Sequence, residues 1–131
     1  MSLVKCPWMQ NSPSKVNEKA NYMTDKKIML TTVGSHDEAR KIAHALVAAR
    51  VAACVNIVPR IESVYRWDGK VETAEEWLLI IKTSSLKLGP AEDLMKKLHS
   101  YDLPECIAIA IEDGSTDYLN WIEKSVGDEP K

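Results

Sequence analysis

Ala53-Cys54-Val55-Asn56-Ile57-Val58-Pro59, continuing through Tyr65-Arg66-Trp67-Asp68-Gly69-Lys70-Val71-Glu72 to Leu79-Ile80-Ile81-Lys82-Thr83, is the longest extended-looking stretch of the chain. Asp68-Gly69 at its centre decides how it is read. A type I′ turn places both central residues at positive φ, which Asp tolerates and Gly adopts freely, so the stretch predicts a hairpin with arms Ala53–Trp67 and Val71–Thr83. The arms are long for so small a protein, and their outer ends are expected to meet something beyond their own core. Pro59 cannot donate to a ladder, which predicts that its arm is an edge strand or is bent by a bulge near Val58 to Arg60. The return arm turns solidly apolar over Trp77 to Ile81, as a strand buried on both faces does.

Outward from the hairpin, the flanks alternate in type. Ile28 to Val33 reads as a first strand ending at Gly34. Ser35 and Glu38 have capping-box spacing, and Ala39, Ile42, Ala43, Leu46 and Val47 form the apolar stripe of a helix ending near Arg50. Beyond the hairpin, Ser84 or Ser85 offers a cap to a second helix with Ala91, Leu94, Met95 and Leu98 inward. Pro90 is comfortable only in a first turn, which leaves the start of that helix open. After the loop His99 to Glu105, Cys106 to Ile111 alternates bulky with thin side chains as a last strand, and Asp113-Gly114 stops it. Thr116 to Val126 reads as a short final helix closed by Gly127. The order β-α-β-β-α-β plus a terminal helix predicts an α+β, ferredoxin-like fold with helices on one face of an antiparallel sheet. Tyr65, Trp67 and Trp77 then need partners on or beyond the second face, which predicts a homo-oligomer.

Composition narrows the function. The 131 residues are 45% hydrophobic and 27% charged, enough for one globular domain at 26–131. Residues 1–25 have no apolar period and read as a tail, in which Cys6-Pro7-Trp8-Met9 is a docking candidate. A net charge of −2 gives no basic surface for nucleic acid. The apolar runs are far short of the ~20 residues that span a bilayer, and Leu3-Val4 is no secretory core, so a cytoplasmic protein is expected. The 3 cysteines, Cys6, Cys54 and Cys106, are odd in number and widely spaced, as free thiols of a reducing compartment are. Phosphate-loop, Ser/His/Asp and H-E-x-x-H patterns are absent, and no enzymatic activity is expected.

Five ordered motifs carry a resemblance. Ala52 to Pro59, Tyr65 to Glu72, Leu79 to Thr83, the His99-x-Tyr101-x-x-Pro104-Glu105 loop and Tyr118-Leu119-x-Trp121 closely resemble the CutA family of divalent-cation tolerance proteins across about residues 28 to 126. The resemblance implies a tight homotrimer built by the long hairpin, similar in architecture to PII-type signalling proteins. It also implies divalent copper as a ligand in bacterial members, and in mammalian relatives a part in anchoring acetylcholinesterase. His99 matches the loop histidine at which some members place copper, with Glu105 or Cys54 as helpers. Copper-binding members carry a cysteine in the first strand and a second histidine directly before the loop histidine, where this chain has Thr31-Thr32 and Leu98.

Each candidate also has a structural use. His99 suits a helix C-terminus, Cys54 and Cys106 pack as small hydrophobes, and Glu105 can accept from Tyr101 or backbone. Tyr65, Arg66, Trp67 and Trp77, with Lys82 at the edge, would form either an inter-subunit cleft for a small ligand or plain trimer packing. His36 and His44 are expected to face solvent. Three functions stay open: cation binding, a trimeric scaffold for a protein partner, and a PII-like small-ligand sensor.

Overall fold

The computed structural model describes residues 24–127, so the tail motif Cys6-Pro7-Trp8-Met9 lies outside the described residues. The elements run β1 (Lys26–Val33), α1 (His36–Ala48), β2 (Cys54–Trp67), β3 (Lys70–Ser84), α2 (Ser85–Leu98), β4 (Ile107–Ala110) and α3 (Thr116–Val126). They form one antiparallel sheet in the order β2-β3-β1-β4, the split βαβ arrangement expected from the pattern.

The hairpin is built as its residues dictate. Asp68 and Gly69 both take positive φ, 51° and 78°, and Trp67 pairs with Lys70 across them. A Cβ on Gly69 would meet no atom within 4 Å, so Gly69→Ala is expected to cost only backbone strain, about 1 kcal/mol. A urea midpoint measures it; a loss of several kcal/mol would mean that the tip is packed. Both readings of Pro59 hold together. β2 lies at the sheet edge, and its register shifts between Val58 and Ile61 with Arg60 in the left-handed region at φ 57°.

Strand alternation then sorts the core. Met29, Thr31 and Val33 of β1 stand opposite Ile81, Leu79 and Trp77 of β3. All but the half-buried Trp77 are buried, and they pack with Ile42, Leu46, Ala91 and Met95 of α1 and α2. Trp77 packs against this cluster too, so it belongs to the subunit's own core and not to the aromatic group at the hairpin. β4 turns its thin side chains the same way, with Ala108 opposite Met29. Ile107 and Ile109 face the other side, about half exposed.

Local details depart from the sequence expectations. Val47, expected on the α1 stripe, is 43% exposed because the stripe closes at Leu46. Ser84 makes no side-chain cap; α2 is anchored instead by Ser85, whose N–H and hydroxyl both donate to the Asp25 carbonyl, at 2.7 and 3.0 Å. Pro90 therefore sits inside the helix, at the cost of one backbone donor. Gly127 does not take the left-handed closing conformation, having φ −73°. Arg50 supplies the cap, donating to the carbonyls of Gly127 at 2.8 Å and Lys124 at 3.0 Å.

The second sheet face is not wholly open, as a one-sided helix layer would leave it. α3 crosses its lower end, where Ile122 and Val126 pack on Ala53. Lys26 joins the same junction. Burial works against its ammonium, but ion pairs with Asp25 and Glu123 more than offset this and hold its pKa above the ordinary lysine value.

Candidate functional site

Loop 99–105 and the outer half of the hairpin enclose a concave region with converging polar groups. β4 ends its pairing with β1 at Leu30, so the Thr32 carbonyl lies past the end of that ladder. His99 fills the gap. Its side chain is fully buried, and Nε2 lies 2.8 Å from the Thr32 oxygen. A carbonyl only accepts, so Nε2 carries the proton. Nδ1 in turn accepts from the Tyr101 N–H at 3.1 Å, which requires its lone pair. Both ring nitrogens are thereby engaged, and neither has a lone pair free for a metal ion.

Glu38 holds the loop from the other side. Its carboxylate accepts from the Ser100 N–H at 2.7 Å and the Ser100 hydroxyl at 2.9 Å. The capping box is therefore only half made: Ser35 accepts from the Glu38 N–H at 3.1 Å, while the Glu38 side chain ties the start of α1 to the loop. Tyr101 tilts against the His99 ring at a centroid distance of 4.8 Å and donates its hydroxyl to Glu76 of β3 at 2.8 Å. Gly34 makes room for it, since a Cβ there would stand 3.1 Å from the Tyr101 oxygen.

Desolvation, and then the Glu76 carboxylate, push the Tyr101 phenol up to about 12. Such a group binds its proton more tightly folded than unfolded. Its stabilising contribution is present below the ordinary phenol pKa of about 10 and fades as pH rises through about 12. Tyrosinate absorbance is expected to show a late-titrating tyrosine that Tyr101→Phe removes; an unchanged profile would mean that the Glu76 contact is not made.

The groove so bounded has a volume of about 760 Å³, with Thr32, Tyr65, Trp67, Glu76, Tyr101 and Glu105 in its lining. Two of the predicted cleft residues, Tyr65 and Trp67, are here. Lys82 is not: it pairs opposite Cys54, about 20 Å along β3 from Glu76 at the usual strand rise, and donates to Asn56. Arg66 stands exposed on the hairpin opposite Val71. Cys54 is half-buried at the far end of the sheet from the loop. Glu105 is exposed at the groove rim, and Tyr101 donates to Glu76 in its place. No group of three His, Cys, Asp or Glu side chains able to hold a metal occurs among the described residues, so one subunit does not bring His99, Glu105 and Cys54 together. Cys106 packs beside the core, and burial pushes its thiol up, as a structural cysteine's is.

Comparison with known proteins bears on this arrangement. The model of the CutA1 divalent ion tolerance protein family matches residues 27–125, nearly the whole described domain. The chain belongs to the CutA family. A divalent-cation tolerance protein CutA of Thermus thermophilus is 43% identical over 102 residues, covering 78% of this chain and 99% of that protein. The chloroplastic CutA of Arabidopsis thaliana is also 43% identical, over 82% of this chain but 59% of its own length. Among solved structures, CutA from Xylella fastidiosa superimposes with a TM-score of 0.78 at 38% identity, covering 79% of this chain and all of that one. None of the described helices of this CutA chain is long and apolar enough to cross a membrane.

Sequence reasoning passed over the two carboxylates that organise the CutA loop, Glu38 and Glu76. Glu38 was assigned to a cap. Glu76 carried one available signal, an acid directly before the apolar run Trp77 to Ile81. Its burial, to 8% exposure, follows only from the loop folding over it.

Proposed function

We propose that this CutA chain acts as a non-enzymatic homotrimer in divalent-cation tolerance, with copper as the foremost cation. The observation that carries the reading is the outer hairpin: Val64, Tyr65, Trp67 and Val71 are 64, 44, 61 and 67% exposed on a two-stranded ribbon that continues beyond the end of the β1–β3 ladder at Val33 and Trp77. Apolar side chains on a long edge ribbon are favourable only when covered, and copies of the same chain supply the cover symmetrically. The names borne by its Thermus and Archaeoglobus relatives supply the link to cation tolerance.

Copper in this reading is held by groups that more than one subunit contributes, because His99 is committed within its own. Imidazole and thiolate would be the preferred Cu²⁺ donors, yet the described residues of one subunit bring no three such groups together. Calorimetric titration of Cu²⁺ into the assembled protein and into His99→Ala, both checked for assembly, tests the arrangement. Affinities within about threefold of each other are expected; a tenfold or greater loss in His99→Ala would return the ligand role to His99, and no saturable binding by the parent would remove copper from the reading.

A further inference from the structure

We propose that His99 is an acid-operated latch on loop 99–105: a second ring proton, taken up at Nδ1, moves the Glu38 carboxylate from Ser100 to His99 and releases Tyr101. The latch is closed while the ring is neutral. Nε2–H then donates to the Thr32 carbonyl at 2.8 Å, and the Nδ1 lone pair accepts from the Tyr101 N–H at 3.1 Å. Glu38, its side chain 14% exposed, accepts from both the N–H and the hydroxyl of Ser100. The ring is fully buried within its own subunit, so the latch does not depend on which surfaces assembly leaves open.

A protonated Nδ1 has no lone pair. It then sets a donor against the Tyr101 N–H at 3.1 Å, and a buried imidazolium is costly unless a counter-charge bonds it. Glu38 is the carboxylate that reaches the ring, with Oε2 3.7 Å from Nδ1. A closure of roughly 0.9 Å brings the two to the ~2.8 Å of a charge-assisted hydrogen bond. That same oxygen holds the Ser100 N–H at 2.7 Å, so the move is an exchange of partners, and the backbone at Ser100 and Tyr101 loses both its anchors. The Tyr101 ring, which tilts against His99 and reaches Glu76, moves with that backbone. The other charges stand further back. Lys96 and Lys97 are in the last turn of the helix that His99 caps, Lys96 bound to Glu92 at 2.6 Å and Lys97 exposed. β1 presents the uncharged Thr32 carbonyl, β3 presents Glu76 through Tyr101, and His36, Asp37, Asp102 and Glu105 are exposed. The Tyr101 phenol, pushed up to about 12, keeps its proton throughout.

Nitrogen-15 NMR of the full chain, followed from about pH 7.5 to about pH 5 across the usual histidine range, tests the latch. The Ser100 and Tyr101 amide resonances are expected to move in one transition, the same in which the His99 Nδ1 signal changes from that of an acceptor to that of a protonated nitrogen. Glu38→Gln keeps an acceptor for Ser100 but brings no carboxylate to the ring; in it the Tyr101 amide is expected to move and the Ser100 amide to stay. His99→Gln is expected to abolish both movements, which separates the latch from the exposed His36 and His44. Should that variant fail to fold, the ring signal of the parent decides. The proposal is overturned by a ring that takes no second proton above pH 5, by Ser100 and Tyr101 amides that hold their positions while Nδ1 is protonated, by the same amides moving while Nδ1 stays an acceptor, by a Glu38→Gln protein whose Ser100 amide moves as in the parent, or by movements that persist in His99→Gln.

Discussion

His99→Ala is expected to lower the unfolding free energy by about 3 kcal/mol, the sum of a cavity left by a buried ring and of polar groups left without partners. The ring is fully buried, so its removal leaves space that the loop can only partly fill. The Thr32 carbonyl loses its donor and the Tyr101 N–H its acceptor, and Tyr101 loses the ring against which it tilts. The loss spreads to the groove, because Tyr101 links the loop to Glu76. Urea denaturation at one fixed protomer concentration is the measurement, since assembly makes stability concentration-dependent. His99→Gln, whose amide can donate toward Thr32, is expected to recover part of the loss. A His99→Ala protein within about 0.5 kcal/mol of the parent, the range of an ordinary surface substitution, would contradict the packed role.

The same residue shows where sequence reading stops. Much of what local periodicity and turn chemistry govern was legible: the Asp68-Gly69 turn, the edge position and bulge at Pro59, the Ala39 to Leu46 stripe and the limits of α3. These features depend on residues a few positions apart, whose physics does not need the rest of the chain. What was not legible depends on distant partners. Glu38 meets Ser100, Arg50 meets Gly127 and Glu76 meets Tyr101, and each pairing replaces a local one that the sequence offered as readily. Trp77 was grouped with Tyr65 and Trp67 by residue type, whereas strand register assigns it to the core opposite Val33. The loop motif marks the region where His99 and Tyr101 meet and where Glu105 lines the groove. Its ring nitrogens were beyond sequence, because their engagement depends on where β4 ends.

Replacing both Val64 and Val71 with Glu is expected to reduce the mass measured by light scattering from three times the 14.7 kDa chain to the single chain. Thr73 stands opposite Val64 and Arg66 opposite Val71, so the two valines share one face of the ribbon. At 64 and 67% exposure, neither contributes much to the folding of its own subunit, and two glutamates there leave the secondary structure of a lone chain intact. In a trimer the same face is covered three times over. Burying a valine is worth roughly 1.5–3 kcal/mol, and putting a carboxylate in its place converts that gain into a desolvation cost of several kcal/mol. Six such changes per trimer exceed what an interface of ordinary size supplies. Leu86→Glu is the matched control, an equally apolar side chain 84% exposed on the first turn of α2, away from the ribbon; it is expected to leave the mass unchanged. A parent protein that scatters as a single chain would refute the assembly outright. A double variant that keeps the threefold mass would move the interface off this face of the hairpin, leaving the exposed Ile107 and Ile109 of β4 as the next surface to change.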